Sequence, residues 1–391
     1  MRGIFQRLLF IFIAIASLSV AADNTDQRPH DDSQQFYQTL LDSTNLDFPG
    51  AALLVDGAGE YFNGTTGYAN WQTGQLWLPD TPFFAGSIGK TFIAVAVLQL
   101  WDENRLDLDD TLTRWLEPAI TDHIPEADRI TLRQLLNHTS GIIDLFAIQG
   151  WFEAVVADPG LLRSDAVSLV YAYDHELEFE PGSRYSYSNT GYLLLAMVIQ
   201  SVTGNHASVA VRQGILDPLE MTHTYYQVYE GDGSALAHGI HIDDGEYEDT
   251  HPWISNFALG CAPIASTAAD IGRFYRAIFK DSRLLSKKAR KEMLEKNLVD
   301  IGESLDKYGF GIVKTDWGKI VSYWHNGGIE GYRAIVRYFP EHDLVVAGFV
   351  NLTIGAVCGV PFPQPAVMFE TQVLSIVMAR LSAREKTHPH E

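Results

Sequence analysis

Strand-like segments sit at both ends of this chain and a long helical stretch separates them, and this arrangement restricts the fold more than any other feature of the sequence. Near the start, the apolar run Ala51–Val55, the turn Asp56-Gly57-Ala58-Gly59 and the segment Tyr61–Gly67 predict a hairpin. Near the end, Gly309–Lys314, Ile320–Trp324, Arg333–Phe339 and Leu344–Asn351 predict strands, with Gly-Gly and Pro-Glu-His turns that favour antiparallel pairing. Between them, Thr91–Trp101 is rich in Ala, Val, Ile and Leu without breakers and predicts a buried helix. Residues 102–300 read as mostly helical, most clearly at Leu132–Leu136 and Gly191–Val202, and Val367–Leu381 predicts an amphipathic helix. A sheet built from both chain ends around a helical insertion is an α+β organisation, an antiparallel sheet flanked by helices plus a helical subdomain.

With 391 residues the chain can bury a large core, and no linker-like stretch or internal repeat divides it. Residues 23–391 therefore read as one domain, with a sheet subdomain at about 36–85 and 305–391 and a helical subdomain at about 86–304. Residues 1–22 read as a cleavable signal peptide: Arg2 and Arg7, then the apolar run Leu8–Val20, then small residues at Ser19-Val20-Ala21. That run is short for a membrane span, and no other stretch is long and apolar enough to be one, so the expected location is secreted or periplasmic. Export permits a disulfide, but Cys261 and Cys358 are far apart in sequence, and two separate buried thiols fit equally well.

The formal net charge is -21, and loss of the two leader arginines makes it more negative. This argues against binding nucleic acid or anionic lipid through bulk electrostatics. The sequence carries no phosphate loop or dinucleotide fingerprint, so no cofactor is expected. His238, His241, Asp243, Asp244 and His251 cluster in sequence, but without zinc-type spacing, and read as a solvated acidic loop with no metal site.

Three short motifs carry chemistry. Ser87-Ile88-Gly89-Lys90 puts a hydroxyl and an amine on one helix face, and the serine would occupy the first turn of the buried helix. Serine needs a base to become a nucleophile, and a buried lysine can lose its proton near neutral pH. Ser304-Leu305-Asp306-Lys307 has the same spacing, but in a polar stretch with no apolar helix after it. Tyr187-Ser188-Asn189 supplies a phenol and an amide. A tyrosinate at Tyr187 near Lys90 could take the serine proton and later donate to a leaving group, and Asn189 could bridge Lys90 and a substrate carbonyl. Tyr185 fits a packing role better. His325-Asn326-Gly327-Gly328 follows an apolar strand. Gly327 would let an acyl group approach the backbone, and the N–H groups of Gly328 and Ser87 could form an oxyanion hole. Taken alone, this last segment also reads as a β-turn with a solvated histidine. Lys314-Thr315-Asp316 is a decoy: its third residue is Asp rather than Gly, and it falls one strand too early.

Together these motifs resemble the β-lactamase-related serine hydrolases, which include class C β-lactamases, D-Ala-D-Ala carboxypeptidases, D-aminopeptidases and certain esterases. The resemblance runs from about Gly50 to Asn351 and includes Leu135–Gly141, Pro218–Met221 and Ser266–Asp270, six ordered segments in all. It implies a β-lactamase/penicillin-binding-protein-like fold with the site between sheet and helical subdomain. By position Ser87 resembles the acylated nucleophile, Lys90 its proton-transfer partner, Tyr187 the general base and acid, Asn189 the amide bridge, and the Ser87 and Gly328 N–H groups the oxyanion hole. His325 stands where class C β-lactamases have Lys, and Asn326 where a Thr often helps to hold a substrate carboxylate. These departures leave a peptide-like amide or an ester as the expected small-molecule or peptide substrate, ahead of β-lactams. A true class C β-lactamase, or a non-catalytic or slowly deacylating penicillin-binding sensor, is the alternative. The sequence does not determine the oligomeric state.

Overall fold

The first hairpin forms as its pattern dictates, Gly50–Gly57 (β1) pairing with Glu60–Asn70 (β2) across the Ala58-Gly59 turn. The structure, a computed structural model, describes residues 29–44, 49–231, 233–302, 304–355 and 372–380. Gln75–Leu76 (β3), Val299–Asp300 (β4), Asp306–Tyr308 (β5), Val313–Asp316 (β6), Val321–Ile329 (β7), Tyr332–Phe339 (β8) and Leu344–Val350 (β9) join the hairpin. Among the described residues they make a nine-stranded sheet in the order β4-β5-β6-β7-β8-β9-β1-β2-β3. All of its neighbours are antiparallel. The two chain ends meet where β9 pairs with β1, with Leu53 opposite Gly348.

Alternation along the strands builds two cores. Leu54, Val336, Val345, Ala347 and Phe349 face the helical layer. Leu53, Val55, Val346 and Val350 face Tyr37, Leu40 and Leu41 of the helix Pro29–Thr44 (α1) and Val373 and Val377 of the helix at 372–380. Each large apolar side chain removed from water contributes roughly 2 kcal/mol before the entropy of ordering it. On the helical side, Gly89–Asp102 (α2) and Asn189–Thr203 (α3) are buried over most of their length. Ser188 caps α3, its side chain accepting the Gly191 N–H. Ala268–Lys280 (α4) starts at Thr267, whose side chain accepts the Asp270 N–H, and stacks Phe274 on Phe92 of α2 at 3.8 Å. Arg276 ties α4 to the sheet through Asp56 and Asp343.

The sequence boundaries shift in three places. Both α4, which packs on β9, β1 and β8, and β4 belong to the sheet layer although they fall inside 86–304. Ser87 lies in a one-turn 3-10 helix, Gly86–Ile88, just ahead of α2 rather than in its first turn. The segment read as a solvated loop is a hairpin, Ile240–Asp243 with Glu246–Asp249, extended by Leu352–Ile354 in parallel. The 372–380 helix falls within the predicted Val367–Leu381. The leader at 1–22 and Cys358 lie outside the described residues, and Cys261 is a buried thiol. No single helix among the described residues is long and apolar enough to cross a membrane.

Candidate active site

Strand β6 pairs with β7 only as far as Trp324, so from His325 to Ile329 β7 is paired on the β8 side alone. The Gly86–Ile88 turn packs along that open edge. A side chain at Gly327 would collide with the Ala85 carbonyl oxygen, and one at Gly86, which has φ +55°, would lie 2.7 Å from the Gly328 nitrogen. Gly327 therefore makes room for the serine-bearing turn itself, where the sequence reading had placed substrate. The N–H groups of Ser87 and Gly328 flank this seam.

Lys90 stands in the first turn of α2 with its side chain fully buried. Its Nζ donates to Ser87 Oγ at 3.0 Å, to Asn189 Oδ1 at 2.7 Å and to the Cys261 carbonyl at 2.9 Å. Burial lowers the lysine pKa to about 8, against the opposing pull of the Asp144 carboxylate. Asn189, the first residue of α3, donates its backbone N–H to Asp144 Oδ1 at 3.1 Å and its side-chain NH2 to both Asp144 oxygens at 3.0 and 3.2 Å. These bonds turn the amide carbonyl toward Lys90. The amide thus links Lys90 to Asp144.

Tyr187 hydrogen-bonds Ser87, and the Lys90 Nζ lies 4.9 Å from its ring centroid. Burial raises the phenol well above 10, outweighing the hydrogen bond to Ser87, so the resting group is a neutral phenol and not the tyrosinate expected from sequence. Lys90 is the group whose proton affinity is brought near neutrality. His138 frames Tyr187: its carbonyl accepts the Ser186 N–H and its ring Nδ1 accepts the Ser188 N–H at 3.1 Å.

His325 is buried and does not present a donor to the cleft. Its Nδ1–H donates to the Asn326 carbonyl, which leaves Nε2 to accept the Tyr308 hydroxyl at 2.9 Å. Burial lowers its pKa to about 3, so the ring is neutral. A substrate-binding role for His325 is therefore replaced by a supporting one beneath β7. Asn326 is exposed on the opposite face of the strand. The guanidinium of Arg333, the cross-strand partner of Gly328, lies over that glycine.

The decoys lie elsewhere. Ser304 accepts the Asp306 N–H in a turn, Lys307 pairs with Asp300, and Lys314–Asp316 lies on β6. His238 pairs with Asp249 at 2.7 Å and stacks on His251 at 3.9 Å, while His241 bonds Thr353. Among the described residues no three His, Cys, Asp or Glu side chains converge as a metal site. Sequence reasoning missed Asp144, Tyr308, the Cys261 carbonyl and the role of His138. Of these only His138 had a signal, its place in the Leu135–Gly141 segment.

A buried lysine bonded to a serine, an asparagine amide and a backbone carbonyl, with a phenol on the same serine, is an arrangement able to pass a proton to and from that serine. The family profile described as Beta-lactamase matches residues 34–359. Penicillin-binding protein 4* of Bacillus subtilis is 28% identical over 327 residues, covering 79% of this chain and 69% of that protein. Against other curated relatives the chain spans as little as 63% of the relative's length. The D-amino acid amidase from Ochrobactrum anthropi SV3 has a similar structure, with TM-score 0.76 and 26% identity over 90% of this chain and 99% of that one. The D-stereospecific amidohydrolase from a Streptomyces species matches with TM-score 0.71 and 27% identity over 83% and 95%. Motif, fold and profile agree, and the chain belongs to the beta-lactamase family of serine hydrolases.

Proposed function

We propose that this protein is an exported serine hydrolase that cleaves a peptide-like amide or an ester through an acyl-enzyme on Ser87. The observation that carries this reading is the 3.0 Å contact between Ser87 Oγ and a Lys90 ammonium whose pKa burial has lowered to about 8. In the neutral fraction of Lys90, Nζ accepts the serine proton as Oγ attacks the substrate carbonyl carbon. The N–H groups of Ser87 and Gly328 stabilise the oxyanion. The Tyr187 phenol gives its proton to the leaving group and regains one from the Lys90 ammonium. Water then attacks the acyl-enzyme with the same groups acting in reverse. The serine proton ends on the leaving group and a proton from the attacking water restores Ser87, and the scheme draws on no cofactor.

The names of the two structural neighbours favour an amide next to a D-configured residue as substrate. The neutral His325 supports a site that depends less on a substrate carboxylate than one with a lysine there. The resemblance to a penicillin-binding protein supports the second reading, a slowly deacylating receptor. The leader motif supports export to a secreted or periplasmic location.

The test is covalent labelling. A fluorophosphonate or activated ester should modify Ser87, and Ser87→Ala should abolish labelling while circular dichroism shows the fold intact. Labelling that persists on Ser304 or any other serine overturns the assignment. Time-resolved mass spectrometry then separates the two readings, because turnover of the adduct means hydrolase and a persistent adduct means receptor. A panel of p-nitrophenyl esters, D-amino-acid amides, D-Ala-D-Ala peptides and nitrocefin identifies the substrate class.

A further inference from the structure

The helical layer holds a second cavity, open to solvent, that shares no lining residue with the site around Ser87. Its volume is about 440 Å³, and Trp115, Glu117, Asp165, Gln200, His206 and Tyr229 are among its walls. Asp165 is only 6% exposed. Its Oδ1 accepts the Gly260 N–H at 2.7 Å, while Oδ2 has no hydrogen-bond partner among the described residues. Among the described residues no Lys or Arg lines the cavity. A buried carboxylate with one hydrogen bond and no cation is costly to keep ionised. The hydroxyl of Tyr226, close enough to Asp165 to feel its charge, is also buried with no hydrogen-bond partner among the described residues.

The remaining walls favour a particular occupant. The Tyr229 ring stacks on His206 at 3.6 Å, and Trp115 adds an indole. His206 is no competing cation, because burial lowers its pKa and its Nδ1 accepts the Ser208 N–H. Aromatic faces attract cations, and Glu117 adds a second negative charge at the exposed rim. We propose that this cavity binds an organic ammonium, a protonated amine on an aromatic or aliphatic body, with its N–H groups on the open oxygen of Asp165 and its body against Trp115 and Tyr229. Burial raises the Asp165 pKa to about 7 against the opposing Gly260 hydrogen bond, so the carboxylate is poised to ionise when such a cation arrives.

Calorimetric titration of the full chain with phenethylammonium tests this, with 2-phenylethanol as the uncharged control. Asp165→Asn keeps an oxygen for the Gly260 N–H and removes the charge. Ala166→Trp places a ring at the exposed edge of the cavity without touching the core. Wild type should bind the ammonium saturably, and each variant should weaken binding by at least about tenfold, as should replacing the ammonium by the alcohol. The proposal is overturned by ammonium binding that both variants leave unchanged, by equal affinity for the alcohol, or by no saturable binding to wild type.

Discussion

The imidazole of His138 lies 4.2 Å from the ring of Tyr187, and the same residue fixes the chain on both sides of that tyrosine. Its carbonyl takes the N–H of Ser186 at 3.0 Å and its Nδ1 takes the N–H of Ser188 at 3.1 Å. His138 holds φ +60°, a conformation that Asn tolerates well. His138→Asn should therefore keep the backbone bond to Ser186 and lose the ring contacts. The expected result is a fall in kcat of about 10- to 100-fold with KM within about threefold, as for a proton donor moved by a fraction of an ångström. Steady-state kinetics beside a melting curve decides it. Unchanged kcat would mean that His138 only packs.

Lys90 should write its titration into the rate of acylation. Its pKa falls from 10.5 to about 8 in the folded protein, and only the neutral amine can accept the serine proton. The acylation rate should thus rise about tenfold per pH unit below about 8 and level off above it. Tyr187 stays protonated across this range, because burial raises its pKa well above 10. Rapid-mixing acylation measured from pH 6 to 10 provides the check, and a flat profile would exclude Lys90 as the base.

Lys90 and Tyr187 both contact Ser87, so their contributions should not add. Lys90→Ala and Tyr187→Phe should each lower kcat by about a thousandfold or more, and the double variant should be little worse than either. Additive losses in the double variant would show two independent devices.

The residues that meet around Ser87 were legible from side-chain types at short spacings: Ser87 and Lys90 on adjoining turns, Tyr187 two residues before Asn189, Gly327 on its strand. The groups that tune them were not. Asp144 reaches Asn189 across 45 residues. The Cys261 carbonyl reaches Lys90 across 171, through a backbone atom that any residue would supply. Tyr308 is one of several tyrosines packed around His138, and nothing in its local sequence marks it. Fold boundaries failed for a related reason. The helical period of α4 is visible, but whether its apolar face meets a sheet or another helix is decided by residues such as Leu54 and Val345, far away in the chain.

Asp165 should leave a signature in stability. Its folded pKa, raised by burial from 3.8 to about 7, lies above the unfolded value, so the folded state binds more protons between those limits. Stability from this residue is present below about pH 4 and is lost as pH rises toward 7, by roughly 4 kcal/mol at most. Asp165→Asn removes that term. Its melting temperature should overlie wild type at pH 4 and exceed it at pH 7.5. Parallel melting curves across this range would mean that Asp165 ionises as freely as an exposed carboxylate.

Substrate preference should respond to changes on the strand that carries His325 and Asn326. His325 stays neutral, bonded through Nε2 to Tyr308, and so adds no charge to attract a substrate carboxylate. Wild type should show higher kcat/KM on a short-chain ester or a D-amino-acid amide than on nitrocefin, and nitrocefin far ahead of every ester and amide would overturn this. Replacing His325→Lys together with Asn326→Thr should shift the ratio toward carboxylate-bearing β-lactams. The structure adds a cost and a diagnostic. His325 is close enough to Lys90 for their charges to interact. A second ammonium at that buried position should lower the melting temperature, and like-charge repulsion should push the Lys90 pKa below about 8. The rising limb of the acylation profile should then move to lower pH even where overall activity falls. A limb that stays in place would mean that the new ammonium has turned away from Lys90 into the cleft, the arrangement in which it could hold a substrate carboxylate.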